Sequence, residues 1–174
     1  ARIPLEHCSE ITLEANPGKF EAAKFESFRA CGVNRLSIGI QSFNAEHLNR
    51  LEGIHNGDDV QRAVHMARNA GFGHYEVSAY AQAGRYSRHN LNYWQFGDYL
   101  AIGAGAHGKI SVPAEQRILR YRKTRLPQDY LDLTKSYTTA QDTLACEDLP
   151  FEFFMNGLRL REGVPTSFFT ERTG

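Results

Sequence analysis

The stretch between residues 10 and 42 constrains the fold most, because it places a helical pattern between two strand patterns. A run of aliphatic and β-branched residues stops at Asn16-Pro17-Gly18, which is typical of a strand that ends in a turn. Apolar residues at helical spacing follow, and Gly32 suits the position just after a helix. Residues 35–42 then read as a mostly apolar strand. This order predicts a βαβ unit with parallel strands and a right-handed crossover.

Two polar side chains fall at the carboxyl ends of these strands, where α/β sheets bind their ligands. They are Glu14 and Gln41. Each is a candidate ligand contact, and each is equally consistent with a strand-end residue that bonds to a neighbouring loop. A helix from Gly57 that stops at Gly71, and a strand over residues 73–80, continue the α/β pattern.

The stretch 88–108 holds the only tryptophan, three other aromatic residues and two of the seven histidines, and it ends in a Gly/Ala-rich segment. Aromatic side chains supply large rigid surfaces, and glycine allows close approach to the backbone. Together with His89, these residues suit a flat, planar ligand. A buried aromatic cluster beneath a glycine-rich loop is the alternative interpretation.

The segment 109–125 is basic. Its later part alternates apolar residues with Arg117, Arg120, Arg122, Lys123 and Arg125. Spaced arginines can clamp carboxylates through paired hydrogen bonds, but they also protect a solvated strand edge by their charge. Helical patterns follow over residues 127–137 and from a start signal at residues 147–150, after which Phe151, Phe154 and Leu158 share one face.

Charge and cysteine content exclude several classes of protein. Lys plus Arg and Asp plus Glu balance at 20 each, so net charge favours neither nucleic acid nor an anionic membrane as a partner. No apolar run is long enough for a membrane span, and the first residues do not form a signal peptide. Cys8, Cys31 and Cys146 lie far apart and form no C-x-x-C pair, which favours a reducing, cytoplasmic location.

Several strings together resemble one family, the radical SAM proteins related to oxygen-independent coproporphyrinogen III oxidase, and within it the branch of HemW-like haem chaperones. The strings are EITLEANP (10–17), GVNRLSIGIQSF (32–43), YEVSAY (75–80), HNLNYW (89–94), GAGAHG (103–108), EDLPFEF (147–153) and ERTG (171–174). The resemblance implies a fragment of a partial (β/α) radical SAM barrel over residues 1–110. It also implies the start of a mainly helical C-terminal region over residues 111–174.

The resemblance also implies ligands for particular residues. In the family, the residues that match Glu14 and Gln41 contact S-adenosylmethionine. The His-Asn-x-x-Tyr string, formed by His89, Asn90 and Tyr93, is associated with haem in the chaperone branch. A neutral imidazole is a good axial ligand for haem iron, which makes His89 the candidate iron ligand. The implied partners are haem or porphyrin and haem-accepting membrane proteins. An open barrel edge adds homodimerisation.

The chain departs from the family in its cluster motif. A C-x-x-x-C-x-x-C run supplies thiolates to the [4Fe-4S] cluster in the family, and Cys8, Cys31 and Cys146 do not have this spacing. The segment 70–75 joins two sites that lie apart in relatives. We expect a truncated chain, and an internal deletion and a defective gene are the alternative explanations of this junction. Three hypotheses follow: a HemW-like haem chaperone, an oxygen-independent coproporphyrinogen III oxidase that decarboxylates propionates, and an inactive remnant.

We predict that this polypeptide forms no [4Fe-4S] cluster and does not cleave S-adenosylmethionine reductively, because the thiolate ligands of the motif are missing. Anaerobic reconstitution with iron and sulfide, followed by absorption spectroscopy, tests this. A relative that carries the three-cysteine motif serves as the positive control. An iron–sulfur spectrum on this polypeptide would contradict the prediction.

Overall fold

The computed structural model of the protein describes residues 9–15, 22–39 and 57–174. The chain divides into a first unit, residues 1–87, and a second unit, residues 88–174. Each unit combines helices with a β-sheet, which confirms the predicted α/β class for the described residues. The predicted boundary at residue 110, between the barrel fragment and the C-terminal region, stays a prediction.

The first unit is a mixed sheet with two helices in its described part. The elements are β1 (Thr12–Ala15), α1 (Ala22–Ala30), β2 (Arg35–Ile38), α2 (Gly57–Asn69), β3 (Gly73–His74) and β4 (Ala79–Ala81). The sheet order is β1-β2-β4-β3, and β1 pairs with β2 in parallel. The predicted βαβ unit is therefore confirmed.

The core of this unit lies between the sheet and helices α1 and α2. Phe25 from α1 and Ile38 from β2 have no exposed surface, and Leu36 and Tyr80 are each 1% exposed. They pack with Phe72, which follows α2 and is also fully buried. Burying large apolar side chains is the main source of stability, so these contacts fix α1 and α2 on the sheet.

Glycine ends both helices as predicted, with φ of 99° at Gly32 and 84° at Gly71. A side chain at Gly71 would also clash, because a Cβ atom there would lie 2.7 Å from a guanidinium nitrogen of Arg29. That nitrogen donates a hydrogen bond to the carbonyl oxygen of Ala70 at 2.9 Å. The end of α2 is thereby bound to α1.

The predicted single strand over residues 73–80 is wrong. The chain reverses between β3 and β4, which pair antiparallel with His74 opposite Tyr80. The carboxylate of Glu76 accepts a hydrogen bond from the backbone N–H of Ser78 at 3.0 Å. A side chain that binds the backbone two residues further on stabilises a turn, and the periodicity of strand residues does not reveal this.

The second unit contains an antiparallel sheet and short helices. The elements are α3 (Arg88–Trp94), β5 (His107–Val112), a 3₁₀ turn (Pro113–Glu115), β6 (Arg117–Lys123), α4 (Pro127–Tyr130), β7 (Thr138–Thr143), α5 (Leu149–Gly157) and α6 (Ser167–Thr173). The strand order is β5-β6-β7. The C-terminal region therefore begins with strands and becomes helical from Leu149.

Two helices in this unit differ from the prediction. Helix α4 ends at Tyr130, short of the predicted residue 137, because Asp132 accepts hydrogen bonds from the N–H and hydroxyl of Thr134 and forms a turn. In α5 the predicted apolar face of Phe151, Phe154 and Leu158 is exposed. Phe153, 2% exposed, packs instead against Phe96 at a ring distance of 5.7 Å.

Among the described residues, no helix has both the length and the apolar character needed to cross a membrane.

We predict that Phe153→Ala lowers the free energy of unfolding of the second unit by about 3–5 kcal/mol, because it leaves a cavity beside Phe96. Phe151→Ala in the same helix is the matched control. This side chain is 70% exposed, so its loss should change stability by less than about 0.5 kcal/mol. Urea unfolding followed by the fluorescence of Trp94 measures both. Equal losses would contradict the packing described for α5.

Candidate functional site

The His-Asn-x-x-Tyr string lies on α3, which begins the second unit. Residues four apart share a face of a helix, so His89 and Tyr93 are neighbours on its surface. Their rings meet edge to face, with centroids 4.7 Å apart and an interplanar angle of 86°. His89 is exposed, whereas Tyr93 is half-buried. The histidine ring is therefore held by an aromatic neighbour and remains open to solvent.

Asn90 lies beside His89 in the first turn of α3, and its side chain is exposed. The helix ends shortly afterwards. Gly97 donates its N–H to the carbonyl oxygen of Asn92 at 2.7 Å, and the side-chain amide of Asn92 donates to the carbonyl oxygen of Asp98 at 2.8 Å. A Cβ atom at Gly97 would lie 2.9 Å from the backbone carbonyl oxygen of Asn92 and 2.1 Å from its side-chain oxygen, so a larger residue would force the backbone to shift.

Side chains from outside α3 contact Tyr93 and fix its position. The ring of Tyr99 lies 4.3 Å from that of Tyr93, centroid to centroid. The guanidinium of Arg120 donates a hydrogen bond to the Tyr99 hydroxyl at 2.7 Å and forms an ion pair with Glu152 on α5. Burial raises the pKa of the Tyr99 phenol, and Arg120 offsets this only in part. Tyr99 therefore remains a neutral phenol at physiological pH.

The loop that follows α3 is fixed by a buried lysine. Lys109 on β5 is 1% exposed, and its ammonium donates to the carbonyl oxygen of Phe96 and to the Asp98 carboxylate, both at 3.0 Å. It also lies 4.1 Å from the centroid of the Phe96 ring. A buried ammonium is stable only where it has such partners, so the loop conformation is strongly specified.

Burial and hydrogen bonding act on this pair in opposite directions. Burial lowers the pKa of Lys109, and the hydrogen bond and charge of Asp98 partly offset the effect. Burial alone would raise the pKa of Asp98, but hydrogen bonds from the Ser111 N–H and the Lys109 ammonium lower it below its usual value. Asp98 is therefore ionised at neutral pH, and its carboxylate stabilises the ammonium form of Lys109.

A cavity of about 90 Å³ lies within this cluster. It is lined by Tyr93, Phe96, Gly97, Tyr99, Lys109, Arg120, Met155 and Asn156. This volume has room for a few water molecules and is far too small for a porphyrin. A tetrapyrrole that meets His89 would therefore lie on the exposed face of α3.

The residues matched to S-adenosylmethionine lie in the first unit. Glu14 is exposed at the carboxyl end of β1, where it pairs with Ser37 of β2. This is the edge at which α/β sheets bind ligands. Gln41 lies outside the described residues. The assignment of Glu14 and Gln41 to S-adenosylmethionine stays a prediction.

Sequence reasoning missed Tyr99, Arg120 and Glu152, which support Tyr93. The pairs Tyr99–Arg120 and Arg120–Glu152 are separated by 21 and 32 residues, and no local pattern connects them. The only signal was the basic character of the segment 109–125. The fold alone selects Arg120 from among these arginines.

Two family models match the chain. The Radical SAM superfamily matches residues 7–80, and the HemN C-terminal domain matches residues 144–174. The Heme chaperone HemW of Escherichia coli is 34% identical in an alignment that covers all of this chain and 65% of that protein. The Heme chaperone HemW of Haemophilus influenzae is also 34% identical, over 99% of this chain and 64% of that protein.

The chain belongs to a HemW-like radical SAM family. It spans slightly less than two thirds of the length of these relatives. The alignment with the Escherichia coli protein has 250 positions and this chain has 174 residues, so at least 76 positions have no counterpart in it. A further comparison, with the structure of Coproporphyrinogen III oxidase (HemN) from Escherichia coli, gives 13% identity and a TM-score of 0.46, covering 94% of this chain and 58% of that one.

The cysteines of this chain do not fit the iron–sulfur cluster that the family implies. Cys31 and Cys146 are exposed and lie in different units, while Cys8 is outside the described residues. A [4Fe-4S] cluster needs several thiolates around one centre. No chemical step of this chain is therefore assigned to a cluster.

We predict that Asp98→Asn destabilises the second unit by about 2 kcal/mol at pH 7, because the Lys109 ammonium loses a charged hydrogen-bond acceptor. Combining it with Lys109→Met should restore part of the loss, since the buried charge is then gone. Urea unfolding monitored by Trp94 fluorescence measures both variants.

The pH dependence provides a second measurement of the same pair. The folded-state pKa of Asp98 is lowered, so its contribution is present above the unfolded pKa of 3.8 and is lost as the pH falls through the folded value. Asp98→Asn should remove this part of the acid transition. An unchanged acid profile would contradict the assigned hydrogen bonds.

Proposed function

We propose that this chain binds haem on the exposed face of α3, with His89 as the iron ligand, as the haem-handling part of a HemW-like protein. The observation that supports this most is the exposed His89 imidazole, braced by Tyr93 within the His-Asn-x-x-Tyr string. A neutral imidazole is a suitable donor to haem iron. The relatives with 34% identity are named haem chaperones, which supports haem as the cargo.

The arrangement beneath His89 favours a defined ligand geometry. Metal-binding histidines depend on neighbouring groups that orient the ring. Tyr93 contacts the His89 ring, and Tyr99 in turn contacts Tyr93 while Arg120 holds the Tyr99 hydroxyl. Asn90, exposed beside His89, is the third proposed contact to haem. When bound, haem supplies the iron, and these residues bind and orient it.

S-adenosylmethionine is the second proposed ligand. Glu14 would contact it from the carboxyl end of β1, together with Gln41. The proposal is limited to binding, because the cysteines of this chain do not supply the cluster that starts radical chemistry. The [4Fe-4S] cluster belongs to intact members of the family.

The oxidase alternative is less well supported. The two relatives that are 34% identical are both named haem chaperones, which favours haem binding over oxidative decarboxylation of propionates. The inactive-remnant alternative predicts no ligand at all. Haem-accepting membrane proteins as recipients, a cytoplasmic location and homodimerisation complete the proposal for the whole protein.

We predict that haem titration of the wild-type chain gives a shifted Soret band and that His89→Ala abolishes the shift, because the iron loses its imidazole ligand. His65→Ala is the matched control, since His65 is also an exposed helix residue, on α2. Tyr93→Ala should weaken haem binding by about 10–100-fold through loss of ring orientation, whereas Tyr93→Phe should retain most of it.

An unchanged shift in His89→Ala would remove His89 as the iron ligand. Absence of any shift in the wild-type chain would favour the inactive remnant. Decarboxylation of coproporphyrinogen III by an intact relative, measured as carbon dioxide release, would favour the oxidase.

A further inference from the structure

The antiparallel sheet of the second unit borders a cavity of about 670 Å³, much larger than the one beneath Tyr93. Its lining contains four side chains with basic nitrogens and no carboxylate. The lining residues are Ala104, Gly105, His107, Arg122, Lys123, Arg125, Thr139 and Ala140. We call this cavity the basic cleft. Its volume lies within the usual range for small-molecule sites, roughly 300–1,000 Å³.

Strand pairing explains why these residues converge. His107 of β5 lies opposite Arg122 of β6, and Arg122 lies opposite Ala140 of β7, so the three are cross-strand neighbours. The pairing of β6 with β7 shifts register between Arg122 and Lys123. The extra residue, Thr139, is on β7, since Ala140 lies opposite Arg122 and Thr138 opposite Lys123. The consecutive residues Thr139 and Ala140 can therefore both line the cavity beside Arg122 and Lys123.

The glycine-rich wall of the cleft is fixed to β6. Gly105 donates its N–H to the carbonyl oxygen of Thr124, and Ala106 accepts from the N–H of Lys123, both at 2.8 Å. The cleft therefore has a defined wall formed largely by backbone.

Within the described part of the chain, the cationic side chains of the cleft form no ion pair with a carboxylate. Elsewhere in the second unit, Lys109 pairs with Asp98 at 3.0 Å and Arg117 with Glu115 at 2.5 Å. For Arg122, Lys123 and Arg125, no described carboxylate lies within the 4.0 Å of an ion pair. The Lys123 ammonium donates to the neutral hydroxyl of Thr138 at 3.1 Å and lies 5.2 Å from the centroid of the Tyr121 ring.

Grouped cations without counter-charges repel one another, and an anion that binds between them relieves this repulsion. Guanidinium groups bind carboxylate and phosphate oxygens in pairs. A single small anion would contact only part of a cleft of this volume. We propose that the basic cleft binds a small molecule that carries two or more oxyanion groups.

Two sources offer this chemistry: the propionates of haem and the phosphates of a polyphosphate ligand. Anion binding in the basic cleft does not require His89 or iron, so it can be tested independently of the proposed haem ligation. The first source would extend the proposed function, because the cleft would then hold the charged edge of the cargo. The second source would give the protein an additional ligand.

The test compares Arg122→Gln/Arg125→Gln with the control Arg117→Gln/Arg161→Gln, which removes two exposed arginines of the same unit outside the cleft lining. Both changes alter net charge equally. Each variant and the wild-type chain are titrated with haem, with haem dimethyl ester and with inorganic pyrophosphate. Calorimetry and circular dichroism measure affinity and confirm folding.

We predict that the cleft variant weakens binding of at least one anionic probe by about tenfold or more, since each lost charged hydrogen bond is worth roughly that factor. The control should stay within about twofold. If the cleft variant binds haem more weakly than the wild-type chain but binds haem dimethyl ester equally well, the cleft binds propionates. If the cleft variant binds pyrophosphate more weakly, the cleft binds phosphate. Equal affinities of the two variants for haem and for pyrophosphate would overturn the proposal. The proposal would also be overturned if the wild-type chain bound neither haem nor pyrophosphate.

Discussion

The second unit depends on one buried ammonium group. Lys109 reaches from β5 into the core and binds the carbonyl oxygen of Phe96 and the carboxylate of Asp98. Backbone hydrogen bonds in both directions join Lys109 and Tyr99, at 2.9 and 3.0 Å. Because a buried charge without partners is very costly, the loop after α3 has little conformational choice. Its position in turn places Tyr99 beneath Tyr93, and Tyr93 beside His89.

This arrangement separates a rigid interior from an open surface. The interior holds ionic and aromatic contacts from α3, β5, β6 and α5, whereas His89 and Asn90 remain exposed. The proposed haem site is an exposed surface of α3 and not an enclosed pocket, which suits a ligand that must be released. The basic cleft is a proposed second binding site in the same unit, where cationic side chains would recognise the ligand instead of a metal-binding side chain.

Local patterns predicted much of the fold correctly. The parallel pair β1–β2, the helix ends at Gly32 and Gly71 and the start of α5 near Leu149 follow from propensity and periodicity. The hairpin at Glu76 and the early end of α4 were missed, because single side chains that bind the nearby backbone decide them. The buried face of α5 was also missed, since Phe151 and Phe153 are chemically identical and only packing distinguishes them.

By itself, the sequence determined the α/β class and the spacing that puts His89 and Tyr93 on one face of a helix, because both depend on residues close together in the chain. It also determined the family, because long strings of residues match. Only the tertiary structure decided which arginine supports Tyr99 and which form the basic cleft. Those outcomes depend on strand register, a bulge and a buried ion pair, which join residues far apart in sequence. Such contacts leave no periodic trace, so they emerge only when the chain is folded.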